Sequence, residues 1–149
     1  MLGYVCKYTP MELFEAMDTE ITRLEPSVTD FNHADTLMHA NICSYTKAVL
    51  EDVMEHDYEG VILTTCCDSI RRLYDTLKSQ FPDKFFFLLD IPRKFNDFAV
   101  TLYERQLKQM LTAYEAFSGK TLDLKRFVSM MQNKAALKKQ ENTRMSSSA

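Results

Sequence analysis

Gly60-Val-Ile-Leu-Thr-Thr65 runs directly into Cys66-Cys67-Asp68-Ser69. The first six residues are a continuous apolar, β-branched run, the pattern of a strand buried on both faces of a parallel sheet. From Ser69 to Gln80 the pattern is helical, with Ile70, Leu73, Tyr74 and Leu77 on one face. Downstream, Phe81-Pro82-Asp83 reads as a turn and Phe85–Leu89 as the next buried strand, closed by Asp90-Ile-Pro92. A long helix follows from about Asn96 to Phe117, carrying Leu102, Leu107, Met110, Leu111, Tyr114 and Phe117, with Gly119 as its stop.

Upstream of the opening stretch, Ser44–His56 is an amphipathic helix expected to turn Tyr45, Val49, Val53 and Met54 inward, and Asp57 and Gly60 break it. Gly3–Tyr8 reads as a short strand, after which Thr9-Pro10 opens a helix with Leu13, Phe14 and Met17 on its apolar face. Ile21–Leu24 is a second short strand, and the segment from Glu25 to about Asn41 looks mostly irregular. Strands alternating with helices imply right-handed crossovers and an α/β fold. The expected architecture is a mainly parallel sheet flanked by helices, a Rossmann-like or flavodoxin-like layered domain over residues 1–133. Residues 134–149, KAALKKQENTRMSSSA, are polar and are expected to form a disordered tail after a frayed helix end.

With 149 residues, 46% of them hydrophobic, the chain is long enough for one domain with a real core. A net charge of −3 offers no basic excess to track a phosphate backbone, so nucleic acid is not expected as a partner. The longest apolar runs, such as Phe85–Leu89, are too short to cross a bilayer, so no membrane is expected either. The opening MLGYVCKYTP has neither a basic leader nor a long apolar stretch, which makes the cytoplasm the default compartment. Four cysteines in a chain of this length do not make a disulfide scaffold.

Ligands of an open parallel sheet bind beyond the carboxyl ends of its strands. Cys66 and Cys67 stand there, between a strand and a helix N-terminus whose partial positive charge favours the thiolate that binds metals. Cys43 has similar surroundings at the start of the Ser44–His56 helix, so thiols from consecutive units can converge on one crevice. Each thiol has a plain alternative as a small buried hydrophobe. That alternative is preferred for Cys6, which reads as lying inside a strand. The sequence has no C-x-x-C zinc spacing, and His33, His39 and His56 read as surface or loop residues. It has no G-x-G-x-x-G, no Walker loop and no G-x-S-x-G, and three glycines make a phosphate cradle hard to build. Glu51-Asp52 is expected on an exposed, solvated helix face. Arg71-Arg72 either face an anionic ligand or pair with Asp75.

Several segments together resemble one family. Cys6-Lys-Tyr-Thr-Pro-Met-Glu-Leu13 is similar to the opening of the 2-hydroxyacyl-CoA dehydratase subunits, relatives of the benzoyl-CoA reductase cluster subunits. Glu20-Ile-Thr-Arg-Leu24 is similar to the family's following short strand. His39-Ala-Asn-Ile-Cys43-Ser44 is similar to its first ligand segment, and Leu63-Thr-Thr-Cys-Cys-Asp-Ser69 to its second. Asp90-Ile-Pro92 and the helix after it also fit the family layout. The likeness covers about residues 3 to 130 and is most specific at the two cysteine segments.

The resemblance implies a [4Fe-4S] cluster with Cys43 and Cys67 each bound to an iron, and with Cys66 as a further candidate ligand. In such proteins three cysteines hold the cluster and one iron stays open. An ATP-dependent activator protein injects one low-potential electron, and water leaves a 2-hydroxyacyl-CoA through a ketyl radical. Family subunits are longer, and their third cysteine comes from a second α/β domain. The chain therefore reads as the N-terminal half of a lyase subunit that needs that domain or a companion subunit, and alone it is expected to be inactive. Cys66 doubles the second ligand segment, which resembles relatives with a double-cubane cluster. Asp18 stands where the family often has glycine. The alternative readings are a low-potential electron-transfer module with a double-cubane cluster and a non-catalytic remnant with plain thiols.

Overall fold

A computed structural model describes residues 1–147; the last two residues of the expected tail, 148 and 149, lie outside the described residues. Strands β1 (Leu2–Tyr4), β2 (Ile21–Arg23), β3 (Gly60–Thr64) and β4 (Phe85–Leu89) form one sheet in the order β2-β1-β3-β4. Every pairing is parallel: Leu2 lies opposite Ile21 and Gly60, and Gly60 opposite Phe85. The α/β expectation is met, and the layered, flavodoxin-like order follows from the connections.

Each connection is helical because parallel neighbours need a crossover. The helices are α1 (Met11–Glu15), α2 (Asn32–Leu37), α3 (Ser44–Glu55), α4 (Asp68–Gln80), α5 (Asp97–Ser118) and α6 (Leu124–Ser147). Side chains alternate across β3, so Val61 and Leu63 enter one core layer and Ile62 the other. In the first layer they meet Val49, Leu50 and Val53 of α3 and Ile70, Leu73 and Leu77 of α4. In the second, Ile62 meets Leu13 and Phe14 of α1 and Met110 and Tyr114 of α5. Tyr114 is wholly buried and packs edge-on against Phe14 and Phe85, with ring centroids 5.1 Å away in each case.

Four details differ from the sequence reading. First, β1 ends at Tyr4, so Cys6 lies outside the strand, in a turn closed by the Thr9 N–H donating to the Cys6 carbonyl at 2.9 Å. Second, the segment read as irregular contains α2. Third, α3 turns Tyr45 outward and buries Glu51 and Asp52. The reason is that α3 packs against α2 as well as the sheet, which widens its buried arc. The Glu51 carboxylate reaches under α2, accepting the Ala34 N–H at 2.8 Å and lying 2.7 Å from His33 Nδ1. It thus caps a helix whose own cap residue, Phe31, has no side-chain acceptor. Fourth, α6 continues as helix through residue 147. Lys134, where the polar segment begins, bonds Glu12 at 3.0 Å and Glu15 at 3.5 Å on α1.

Asp18 has a backbone φ of 58°, the left-handed region that glycine enters freely and aspartate tolerates. The glycine expected there on family grounds therefore has a conformational reason. Lys120 Nζ holds the strained residue by donating to the Asp18 carbonyl at 2.7 Å.

Candidate functional site

The chain leaves β1 toward β2 on one side and returns to add β3 on the other. The strand order therefore reverses between β1 and β3, and a crevice opens beyond their carboxyl ends at that point. Cys6 follows β1 by two residues, and Cys66-Cys67 follow β3 by the same distance and one more. Because Tyr4 pairs with Ile62 and the Val5 N–H still reaches the Ile62 carbonyl at 3.3 Å, the two exits lie side by side. Cys43 and Cys67 are the cap residues of α3 and α4. Cys43, Cys66 and Cys67 are exposed and Cys6 is half-buried.

The caps are chemically unusual. At α5 the Asn96 side chain accepts the Ala99 N–H at 2.8 Å, the ordinary way to satisfy a first-turn donor. Cys67 makes no such bond, so the first turn of α4 keeps its N–H groups unspent, whereas in α3 the Tyr45 and Thr46 N–H groups are directed at the Cys43 sulfur. For Cys43, burial pulls the thiol pKa up. Hydrogen bonds from Thr46, Ser69 and the Tyr45 N–H outweigh it and leave the pKa below its usual value. The Thr46 hydroxyl is 3.1 Å from its sulfur. The contact with Ser69 joins Cys43 to the first turn of α4, so the α3 and α4 caps share one wall. Burial raises the Cys66 thiol, and the neighbouring sulfurs of Cys67 and Cys6 raise it further.

The rim is braced. Thr65 donates to Asp90 at 2.5 Å, and the Ile91 N–H reaches the Thr65 hydroxyl at 3.3 Å, tying the β3 exit to the β4 exit. Tyr45 is close enough to feel three of the thiols. Burial raises its hydroxyl pKa, Arg23 opposes that, and the sulfurs of Cys66, Cys6 and Cys43 reinforce it. Two buried hydroxyls at this end lack partners. Thr9 has none, and Thr64 finds no oxygen or nitrogen acceptor and sits against the Cys66 sulfur.

The sequence-predicted thiols Cys43, Cys66 and Cys67 thus share one rim. Among the described residues no three His, Cys, Asp or Glu side chains gather as a site for a single metal ion. The three histidines are exposed, as read from the sequence, and two of them are paired. His33 pairs with Glu51, and His56 Nδ1 lies 3.2 Å from Asp52, whose carboxylate also accepts the Tyr58 hydroxyl at 3.0 Å. Arg72 and Asp75 line one cavity of about 540 Å³ with His39, Asn41 and Ile42, just behind Cys43.

Two features were missed from sequence. Cys6 lies at the β1 exit, and no local signal marks it, because β1 ends at Tyr4 where its pairing with β3 ends. A second cavity, about 510 Å³, lies between Tyr8, Ile91–Phe95, Val100 and Tyr103. Phe95 is 98% exposed beside it, which no helical periodicity accounts for. Among the described residues no helix is long and apolar enough to cross a membrane.

Compared with known protein families, residues 6–145 match the one described as 2-hydroxyglutaryl-CoA dehydratase, D-component. All four cysteines fall inside the matched residues. No curated protein matches the chain.

Proposed function

Because the chain belongs to the family of the 2-hydroxyglutaryl-CoA dehydratase D-component, we propose that it is the cluster-bearing half of a dehydratase that removes water from a 2-hydroxyacyl-CoA. The observation that carries this reading is that Cys43 and Cys67 cap α3 and α4, with Ser69 of the first turn of α4 hydrogen-bonded to Cys43. Cys43 and Cys67 would each hold an iron of a [4Fe-4S] cluster, with Cys66 as the adjacent thiol.

The donor set fits such a group in kind. Thiolates are the ligands that iron–sulfur clusters take, and these thiols face solvent on a braced edge. A cluster of several irons offers its ligand positions on separate corners, so its thiols need not gather as they would around one ion. When bound, the group supplies a single electron at low potential and an iron open to the substrate. The chain's own residues prepare the place for it. The first-turn N–H groups of α3 and α4 favour negative sulfur; burial raises the Cys43 pKa, but the hydrogen bonds from Thr46, Ser69 and the Tyr45 N–H outweigh it and lower it. The raised Tyr45 hydroxyl stays protonated at neutral pH and can donate across the rim. Arg71 and Arg72, on the first turns of α4, carry charge suited to the phosphates of an acyl-CoA.

The partners of this reading are a second α/β domain or companion dehydratase subunit to cover the open rim, and an ATP-dependent activator protein. A second reading, a low-potential electron-transfer module with a double-cubane cluster, draws on one observation: Cys66 and Cys67 are adjacent and both exposed. Iron and sulfide per chain separate the two, since the double cubane holds twice the metal.

The experiment is anaerobic reconstitution, with iron, sulfide and visible absorption measured per chain. Cys43→Ser and Cys67→Ser are expected to retain iron at least about tenfold more weakly than the parent against a chelator, the low end of what even an outer-shell change costs. Parent-like retention in both variants contradicts the assignment. With activator, reductant, ATP and a 2-hydroxyacyl-CoA, water elimination is expected only when the companion half is added.

A further inference from the structure

We propose that the projecting part of α6 is a basic docking arm for a second copy of this chain, whose body presents the acidic surface that fits it. The inference stands apart from the dehydratase reading above and needs no bound cluster.

Ion pairs set the course of α6. Arg126, near its start, pairs with Asp18 at 3.1 Å, and Lys134 pairs with Glu12 at 3.0 Å and Glu15 at 3.5 Å. Helix α1 begins beyond the carboxyl end of β1 and runs toward the start of β2, so α6 meets the far end of that segment first and the first turn of α1 last. The two helices are therefore antiparallel, and only Met11 remains of α1 beyond Glu12. Residues 135–147 add about 20 Å of helix past Lys134. The described side chains there, Ala135 to Met145, are all exposed. Little packing supports this length, and a helix in water is marginal without packing.

Charge selects the occupant. Six of the 18 Lys and Arg lie in α6 (Lys125, Arg126, Lys134, Lys138, Lys139 and Arg144), but only one of the 21 Asp and Glu, Glu141. The rest of the chain therefore holds 12 basic and 20 acidic residues, so a helix of net +5 is joined to a body of net −8. Where the two lie together the charges meet, as Arg126 and Lys134 show. On the arm, Lys138 and Lys139 take part in no ion pair among the described residues. On the body, Glu20, Glu55, Asp68, Asp75, Asp83 and Asp97 are exposed carboxylates that make none either. A continuous helix cannot fold back onto them, so a second copy supplies the acidic surface. Two arms exchanged about a two-fold axis repeat the contact and close the assembly at two copies. Other anionic partners fit less well. The negative body opposes a nucleic acid. Leu137 and Met145 are the only large apolar side chains from residue 135 to residue 145, too few to bury a helix face in a lipid surface.

The test is sedimentation velocity of the full chain at about 10 mM and about 1 M salt, where charges act across roughly 30 Å and 3 Å. A dimer at low salt that dissociates at high salt is expected. The double variant Lys138→Glu/Lys139→Glu is expected to self-associate at least about tenfold more weakly, since each reversal turns an attraction into a repulsion. The same change of charge on α5, Arg105→Glu/Lys108→Glu, is expected to leave association parent-like. Hydrogen exchange of the parent gives a second measurement that does not depend on a variant's folding: amides of residues 138–147 should gain protection as protein concentration rises. A monomer at low salt, a dimer indifferent to salt, arm amides indifferent to concentration, or equal losses in the two double variants each overturn the proposal. So does a monomer whose arm gains protection only on vesicles containing anionic phospholipid, which makes a lipid surface the occupant.

Discussion

The two ends of β3 are built on opposite plans. At the amino end, Gly60 lets the β4 backbone approach so closely that a Cβ would run into the Phe85 carbonyl. Polar groups there are paired. The Tyr58 hydroxyl bonds Asp52, while the Tyr114 hydroxyl bonds Glu59 at 2.9 Å and lies 3.1 Å from Thr19. Burial and carboxylate acceptors push both tyrosines up to about 12. At the carboxyl end, four residues on, Thr64 lacks an oxygen or nitrogen partner and Cys66 and Cys67 face solvent. Helix α3 repeats the polarity, from the exposed Cys43 at its start to buried, satisfied carboxylates near its end. One end of each element is spent on packing, and the other keeps donors and thiols available. That division is how an open parallel sheet combines stability with a binding edge.

If the contrast is real, a small change at the amino end should cost most. Gly60→Ala adds only a methyl group, but the neighbour it meets is backbone, which cannot rotate away. The expected loss is about 3 kcal/mol, the upper part of the usual overpacking range, read from urea melts. A loss under about 0.5 kcal/mol, the size of an ordinary surface change, would show that the close approach carries no such constraint.

Glu51 gives the next effect. Burial raises its pKa, but the Ala34 N–H and His33 outweigh burial and leave it lowered. A carboxylate with a depressed folded pKa contributes stability that is present above the ordinary carboxylate range and lost as pH falls through the folded value. Glu51→Gln is therefore expected to cost about 2 kcal/mol at neutral pH. The gap between parent and variant should close as the pH drops below the ordinary carboxylate range. A gap independent of pH across that fall would mean the ionised form is not what caps α2.

The contrast also explains what could be read from the sequence. The apolar runs Gly60–Thr65 and Phe85–Leu89 marked β3 and its edge neighbour β4, because burial on both faces leaves a period-free signal. The helix bounds were legible from Asn96 and Gly119, whose cap geometries are local. The thiols of Cys43, Cys66 and Cys67 were legible as a group because each sits at a change of periodicity. Glu51 and Asp52 were misread because their burial depends on α2, a short helix whose cap comes from another element. Cys6 was misread for a related reason: β1 is only three residues long, and its end is set by pairing with β3 rather than by any local breaker. Local chemistry could be read directly, whereas features created by contact between distant segments could not.

The smallest effect is the sharpest test of the two-ended plan. Serine is among the best cap residues because its oxygen accepts a first-turn N–H, whereas Cys67 leaves those donors without a side-chain acceptor and Cys43 offers them only its sulfur. If the cysteines are kept for chemistry at the expense of the helix ends, Cys67→Ser should stabilise the metal-free chain while weakening its hold on iron. The cap position already has the extended backbone that a capping serine adopts, with φ −155° and ψ 165°, so no rearrangement opposes the gain. About 0.5 kcal/mol is expected, the low end for a cap contribution, because the exposed site competes with water for the same N–H groups. Cys43→Ser should gain less, since its sulfur already takes part in bonds with Thr46 and Ser69 that the shorter hydroxyl reaches less well. Paired thermal melts of metal-free and reconstituted samples measure both quantities on the same preparations. A Cys67→Ser chain less stable than the parent without metal would mean that this cysteine supports the fold, and that the carboxyl end is not the free edge described above.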